Sequence, residues 1–126
     1  MNIRLQNQFY VVRHGRAENN DLSIVSCKLE TQKSYGLSQN GRDIVSEEAE
    51  KYKDFDIIYA SPFRRTKETA LLFATTSNCS TIEDERLKEF DTGDLDMEPS
   101  ETFSSAMNKH KEIDYVFENG ESLLNV

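Results

Sequence analysis

The chain has 126 residues, 37% hydrophobic and 30% charged, with a mean hydropathy of -0.68; that is apolar material for one modest core and too little for two. A net charge of -8 and a pI near 4.8 argue against electrostatic binding to nucleic acid or to an anionic membrane, because both partners would be repelled on average. A small anionic ligand stays open, since a few arginines converging on one pocket set the local field there.

The start, MNIRLQNQFY, has no apolar signal region, and no later window is long and apolar enough to span a bilayer, so neither export nor membrane insertion is expected. Residues 9–12, Phe-Tyr-Val-Val, read as a short buried strand that stops at Arg13-His14-Gly15. An imidazole and a guanidinium would then stand at the carboxyl end of a strand, where ligands of parallel sheets usually bind. On its own the tripeptide fits a satisfied histidine in an ordinary turn equally well.

Residues 18–36 are polar and weakly periodic and read mostly as loop, with Ile24, Val25 and Leu29 able to cover part of a site. Ser38 is a candidate N-cap for a helix to about residue 53, with Val45, Ala49 and Tyr52 at helical spacing. Residues 56–60 give a second short strand. Ser61-Pro62 and a helical run to about Ala74 follow, with Pro62 suited to the first turn. Arg64 and Arg65 then lie at a helix start, whose free N–H groups and dipole favour an anion; a solvated basic turn is the plain alternative.

A third strand is expected within residues 78–83, an acidic loop with Gly93 as turn residue over 85–97, and a helix over 100–111 behind Pro99. The last residues, from Gly120-Glu121-Ser122 to Val126, resemble the start of a further helix. Strand, helix, strand, helix implies a parallel sheet. Cys27 and Cys79 form no C-x-x-C pair and no disulfide framework, which fits a reduced, cytoplasmic compartment.

Taken together, Arg13-His14-Gly15-Arg16-Ala17-Glu18-Asn19-Asn20 resembles the R-H-G-x-x-x-x-N motif of the histidine phosphatase superfamily, also called the phosphoglycerate mutase-like family. Leu37-Ser38-Gln39-Asn40-Gly41 resembles its L-[ST]-x-x-G. The run from Ser61 to Ala70 resembles S-P-x-x-R-x-x-x-T-A, Leu87 to Gly93 resembles L-x-E-x-x-x-G, and Gly120-Glu121-Ser122 resembles G-E-S. Short motifs are individually weak, but five in order along one chain carry the resemblance.

The resemblance implies a single α/β domain over residues 1–126, a three-layer α/β/α sandwich with a mostly parallel sheet. It implies a phosphatase acting on a small phosphorylated metabolite through a phosphohistidine, with no metal and no cofactor. His14 is the implied nucleophile, and Arg13 and Arg65 hold the phosphoryl oxygens. Glu89 is the implied proton donor, which requires a carboxyl raised toward neutrality by burial or by nearby Asp91; without the motif it would be one solvated carboxylate among many. Arg16, Asn20 and Arg64 are further candidate donors to phosphate or substrate, and Glu121 and Ser122 are expected to brace the site.

The family also carries a second histidine in a downstream S-H-G motif that this sequence lacks; His110, in Asn108-Lys109-His110-Lys111, is expected at the surface. The domain is therefore read as incomplete at its carboxyl end. It is either a fragment or a truncation that forms a homodimer to bury the exposed face. The absence of a G-W pair after Asn20 favours a phosphatase over a mutase, and a phosphate-binding module without turnover is the alternative.

Overall fold

The computed structural model describes residues 6–125; residues 1–5, the first half of the amino-terminal stretch without an apolar run, and Val126 lie outside it. The elements run α1 (Glu18–Asp21), α2 (Leu29–Gln32), α3 (Gln39–Lys51), β1 (Ile57–Ala60), α4 (Arg64–Ser77), β2 (Ser80–Glu83) and α5 (Ser100–Lys109). Three single 3-10 turns follow β2, at Glu85–Leu87, Gly93–Leu95 and Leu123–Asn125. The fold is α/β with a parallel sheet, as expected.

Helix α3 starts where the sequence places it. The Ser38 Oγ accepts from the Gly41 N–H at 3.1 Å, satisfying one of the donors that a helix start leaves open. Gly41, Val45 and Ala49 form its buried face. Tyr52, expected on the same face, is instead the exposed C-cap, because the chain leaves helical geometry there.

β1 and β2 pair in parallel from Ile57 opposite Ser80 to Ala60 opposite Glu83, with α4 as the crossover that a parallel pair requires. α4 begins two residues after Pro62: Phe63 is the N-cap, so Pro62 precedes the helix instead of standing in its first turn. The core lies between α3, α4 and β1, where Val45, Ala49 and Phe73 are buried and Phe55, Ile58 and Leu72 pack on them. Phe55 meets Phe73 edge-on at 6.1 Å; burying a phenylalanine of this kind contributes about 1.5–3 kcal/mol.

A second apolar cluster joins α5 to the carboxyl-terminal residues. Phe90, Phe103 and Phe117 stand with ring centroids 6.0 to 6.3 Å apart. His110 stacks on Tyr115 at 3.8 Å, which gives it a packing role.

Residues 9–12 differ from expectation. They carry no regular structure and all four side chains are exposed, Val11 completely. Apolar, β-branched composition sets strand propensity, but a strand also needs a hydrogen-bonding neighbour, and none pairs with this stretch among the described residues. Tyr10 stands edge-on to Phe55, which packs on the core, at 5.5 Å. The uncovered side continues across Ile57 and Tyr59 of β1, both exposed.

Candidate active site

The loop after residue 12 is seated by residues from two distant segments. The Gly15 N–H donates to Thr69 Oγ1 at 3.1 Å, and Thr69 in turn donates to the Arg65 carbonyl at 2.8 Å inside α4. The Arg16 carbonyl accepts from the Ser38 N–H at 3.0 Å and from its hydroxyl at 3.1 Å. A side chain at Gly41 would place a Cβ 2.0 Å from that same carbonyl, so only glycine lets α3 approach the loop this closely. The motif residues Ser38, Gly41 and Thr69 thus position His14 without touching it.

His14 is half-buried with both ring nitrogens engaged. Nδ1 lies 2.7 Å from the Gly15 carbonyl oxygen, which can only accept, so Nδ1 carries the proton. Nε2 accepts from Arg65 Nε at 3.0 Å. Burial lowers the imidazole pKa from its ordinary 6.5, and the guanidinium groups of Arg65 and Arg13 lower it further against the opposing pull of the Gly15 carbonyl and Glu89. The ring is therefore neutral near pH 7, with the Nε2 lone pair directed at the guanidinium.

Arg65 sits at the second position of α4 and is only 3% exposed. Its Nη2 donates to the Ser26 carbonyl at 3.2 Å and lies 3.9 Å from Glu89 Oε2, while the Phe63 ring covers the group at 5.2 Å. Nη1 is buried with no hydrogen-bond partner among the described residues. A buried guanidinium donor without an acceptor is costly, and a bound anion would satisfy it.

These groups border a cavity of about 290 Å³ lined by Arg13, His14, Ser61, Arg65, Thr66 and Glu89, among others. Four of the sequence candidates, Arg13, His14, Arg65 and Glu89, are thereby brought together. Arg16 and Asn20 are placed elsewhere: exposed Arg16 pairs with Asp21, and Asn20 Oδ1 accepts from the Ala17 N–H at 2.9 Å, closing α1. Arg64 turns outward to Glu68 at 2.8 Å. Glu89, expected to be buried, has a side chain 53% exposed.

Glu121 braces the loop after Glu89, its Oε2 accepting from the Asp91 N–H at 2.9 Å and its own N–H donating to the Asp91 carbonyl at 2.8 Å. Gly93, at φ +60°, packs so closely on the Glu118 carbonyl that no side chain fits. Sequence reasoning missed the Ser61 and Thr66 hydroxyls, 2.7 Å apart at the cavity wall; their only signal was the S-P motif itself. Among the described residues no three His, Cys, Asp or Glu side chains converge to hold a metal ion. No helix there is long and apolar enough to cross a membrane.

The family model for the histidine phosphatase superfamily (branch 1) matches residues 9–126. A Hydrogenobacter thermophilus protein described as "Putative phosphoserine phosphatase 2" is 32% identical over 107 residues, which cover 84% of this chain and 50% of that protein. A Proteus mirabilis "Probable phosphoglycerate mutase GpmB" is 33% identical over 100 residues, covering 78% and 45%. In fold, the chain is similar to a mycobacterial glucosyl-3-phosphoglycerate phosphatase solved with VO3, at a TM-score of 0.68 and 23% identity, over 86% of this chain and 54% of that one. The chain spans about half the length of the curated relatives it matches.

Proposed function

The chain belongs to the histidine phosphatase superfamily, branch 1, and on that premise we propose that it hydrolyses a small phosphomonoester through a phosphohistidine at His14, in the cytoplasm. The observation that carries this reading is the pair formed by His14 and Arg65. The nucleophilic nitrogen is deprotonated and held 3.0 Å from a buried guanidinium that still has a donor to offer.

In the proposed reaction the Nε2 lone pair attacks phosphorus in line, and the bond from phosphorus to the ester oxygen breaks. Arg65 and Arg13 hold the oxygens of the transferring group, which carry the charge. The departing alkoxide takes a proton from the Glu89 carboxyl. Water then attacks phosphorus, giving its proton to the Glu89 carboxylate as the bond to Nε2 breaks, and phosphate leaves.

Hydrolysis of p-nitrophenyl phosphate by the native chain and by His14→Ala tests this. The native chain should release nitrophenol and the variant should fall to background; equal rates would remove His14 from the reaction.

A second reading is a module that holds phosphate without turning it over. It is favoured by the exposure of the Glu89 side chain, because a site open to water does not hold a group in fixed place against a departing oxygen. Calorimetric binding of inorganic phosphate with no hydrolysis of the chromogenic ester would select this reading over the first.

A further inference from the structure

The reaction proposed above gives the Ser61 hydroxyl no part, although Ser61 lines the same cavity as His14 and Arg65 and is only 4% exposed. It directly follows the last residue of β1 and stands just ahead of α4, so regular structure on both sides fixes its place. Its side-chain partner among the described residues is Thr66 Oγ1, at 2.7 Å.

The direction of that hydrogen bond follows from counting protons. Thr66 Oγ1 also lies 2.8 Å from the Ser61 carbonyl oxygen and 2.8 Å from the Phe63 carbonyl oxygen, and both of these can only accept. The single Thr66 proton is therefore held on the carbonyl side, and toward Ser61 the Thr66 oxygen can only accept. Ser61 donates to it, which leaves the Ser61 oxygen with lone pairs and no proton to offer the cavity.

Arg13 and Arg65 supply that cavity with donors for anionic oxygens. A fixed acceptor on the same wall repels a bare anionic oxygen and attracts one that carries a proton, and a site built around such a hydrogen bond rejects the analogue that cannot make it. The other acceptors are differently placed: His14 Nε2 already takes the Arg65 Nε–H, and the Glu89 side chain is half in water, where solvent competes for its lone pairs.

We propose that Ser61 Oγ accepts the hydroxyl of a protonated phosphoryl group, so that the site takes hydrogen phosphate, the released product, and rejects sulfate, an anion of the same shape and charge without a hydroxyl. The inference rests on the phosphoryl-site reading above and concerns which tetrahedral anion that site selects.

Titration calorimetry of the chain with inorganic phosphate and with sulfate at pH 8, where both are dianions and phosphate alone carries a hydroxyl, tests this. The native chain should bind phosphate roughly tenfold more tightly than sulfate. Ser61→Ala should lose that preference by weakening phosphate while sulfate binds at least as tightly as before, and Ser61→Thr should keep it. Thr66→Val, which frees the Ser61 proton to donate into the cavity, should narrow the preference by strengthening sulfate.

Equal affinity of the native chain for the two anions would overturn the proposal, as would a preference that survives Ser61→Ala, which would give the acceptor role to Glu89 or His14. Equal weakening of both anions in Ser61→Ala would overturn it too, by leaving Ser61 only a bracing role ahead of α4, and an unchanged preference in Thr66→Val would overturn the direction of the hydrogen bond on which it stands. Failure of the native chain to bind either anion would overturn the phosphoryl-site reading itself, which separates the two failures.

Discussion

Arg65 Nε donates to His14 Nε2 at 3.0 Å, so the cation that would hold the phosphoryl group also faces the lone pair that would attack it. A charged donor on that nitrogen, added to burial, favours the neutral ring. The imidazole should therefore titrate below 6.5 in an NMR pH titration, and Arg65→Gln should move the midpoint upward. Inorganic phosphate should also move it upward, because an anion at the site stabilises the imidazolium. A midpoint at or above 6.5 in the unliganded chain would contradict this account.

The same shift has a stability consequence. The folded chain gives up the His14 proton at lower pH than the unfolded chain does, so the unfolded state binds more protons between the lowered folded value and 6.5. Stability from this group is therefore fully present above 6.5 and is lost as pH falls through that window. Urea unfolding of the native chain and His14→Gln across pH 5 to 7.5 should show the variant with the flatter profile.

Gly41 separates helix propensity from packing. Alanine favours a helix by about 1 kcal/mol over glycine, yet a Cβ here would lie 2.0 Å from the Arg16 carbonyl oxygen. Gly41→Ala should thus destabilise the chain by about 1–3 kcal/mol in chemical denaturation and loosen the loop that carries His14. A stabilised variant would show that α3 does not press on that loop.

Glu68 fastens the same region from below. Its carboxylate accepts from the Leu37 N–H at 2.8 Å, from Arg64 at 2.8 Å and from Arg42 at 2.9 Å. Burial works against the charged form, but these three donors together hold the carboxyl below its ordinary value. Its contribution is present above the unfolded value and lost as pH falls through the folded one. Glu68→Gln should cost about 1–3 kcal/mol at pH 7 and much less at pH 3; an equal loss at both would mean that the charge is not what matters.

The two cysteines should react unequally. Cys27 is buried, and burial, against the hydrogen bond from Thr92, pushes its thiol up to about 11, leaving almost no thiolate at pH 7. Peptide mapping after brief iodoacetamide treatment should find Cys79 modified well before Cys27, and the reverse order would contradict the packing of Cys27 against Thr92 and Asp96.

Local signals carried much of the fold. Ser38 marked the start of α3, the apolar run of β1 its strand, and Pro99 the start of α5. Residues 9–12 were misleading because their composition encodes strand propensity, while the neighbour that would turn it into a strand is a nonlocal property. Of the candidate site, the motifs brought out His14, Arg13, Arg65 and Glu89, which line one cavity. Arg16 and Asn20 belong to the same motif, but local partners, Asp21 and the Ala17 N–H, draw them to other work.

The central claim is that His14 Nε2 takes the phosphoryl group. Rapid quenching during turnover of a phosphomonoester, followed by peptide mass spectrometry under conditions that spare phosphoramidates, tests it directly. The account predicts an acid-labile phosphoryl group on the peptide containing His14, absent from Arg65→Gln. Turnover with no phosphorylated His14 peptide, or with the phosphoryl group on another residue, would contradict it.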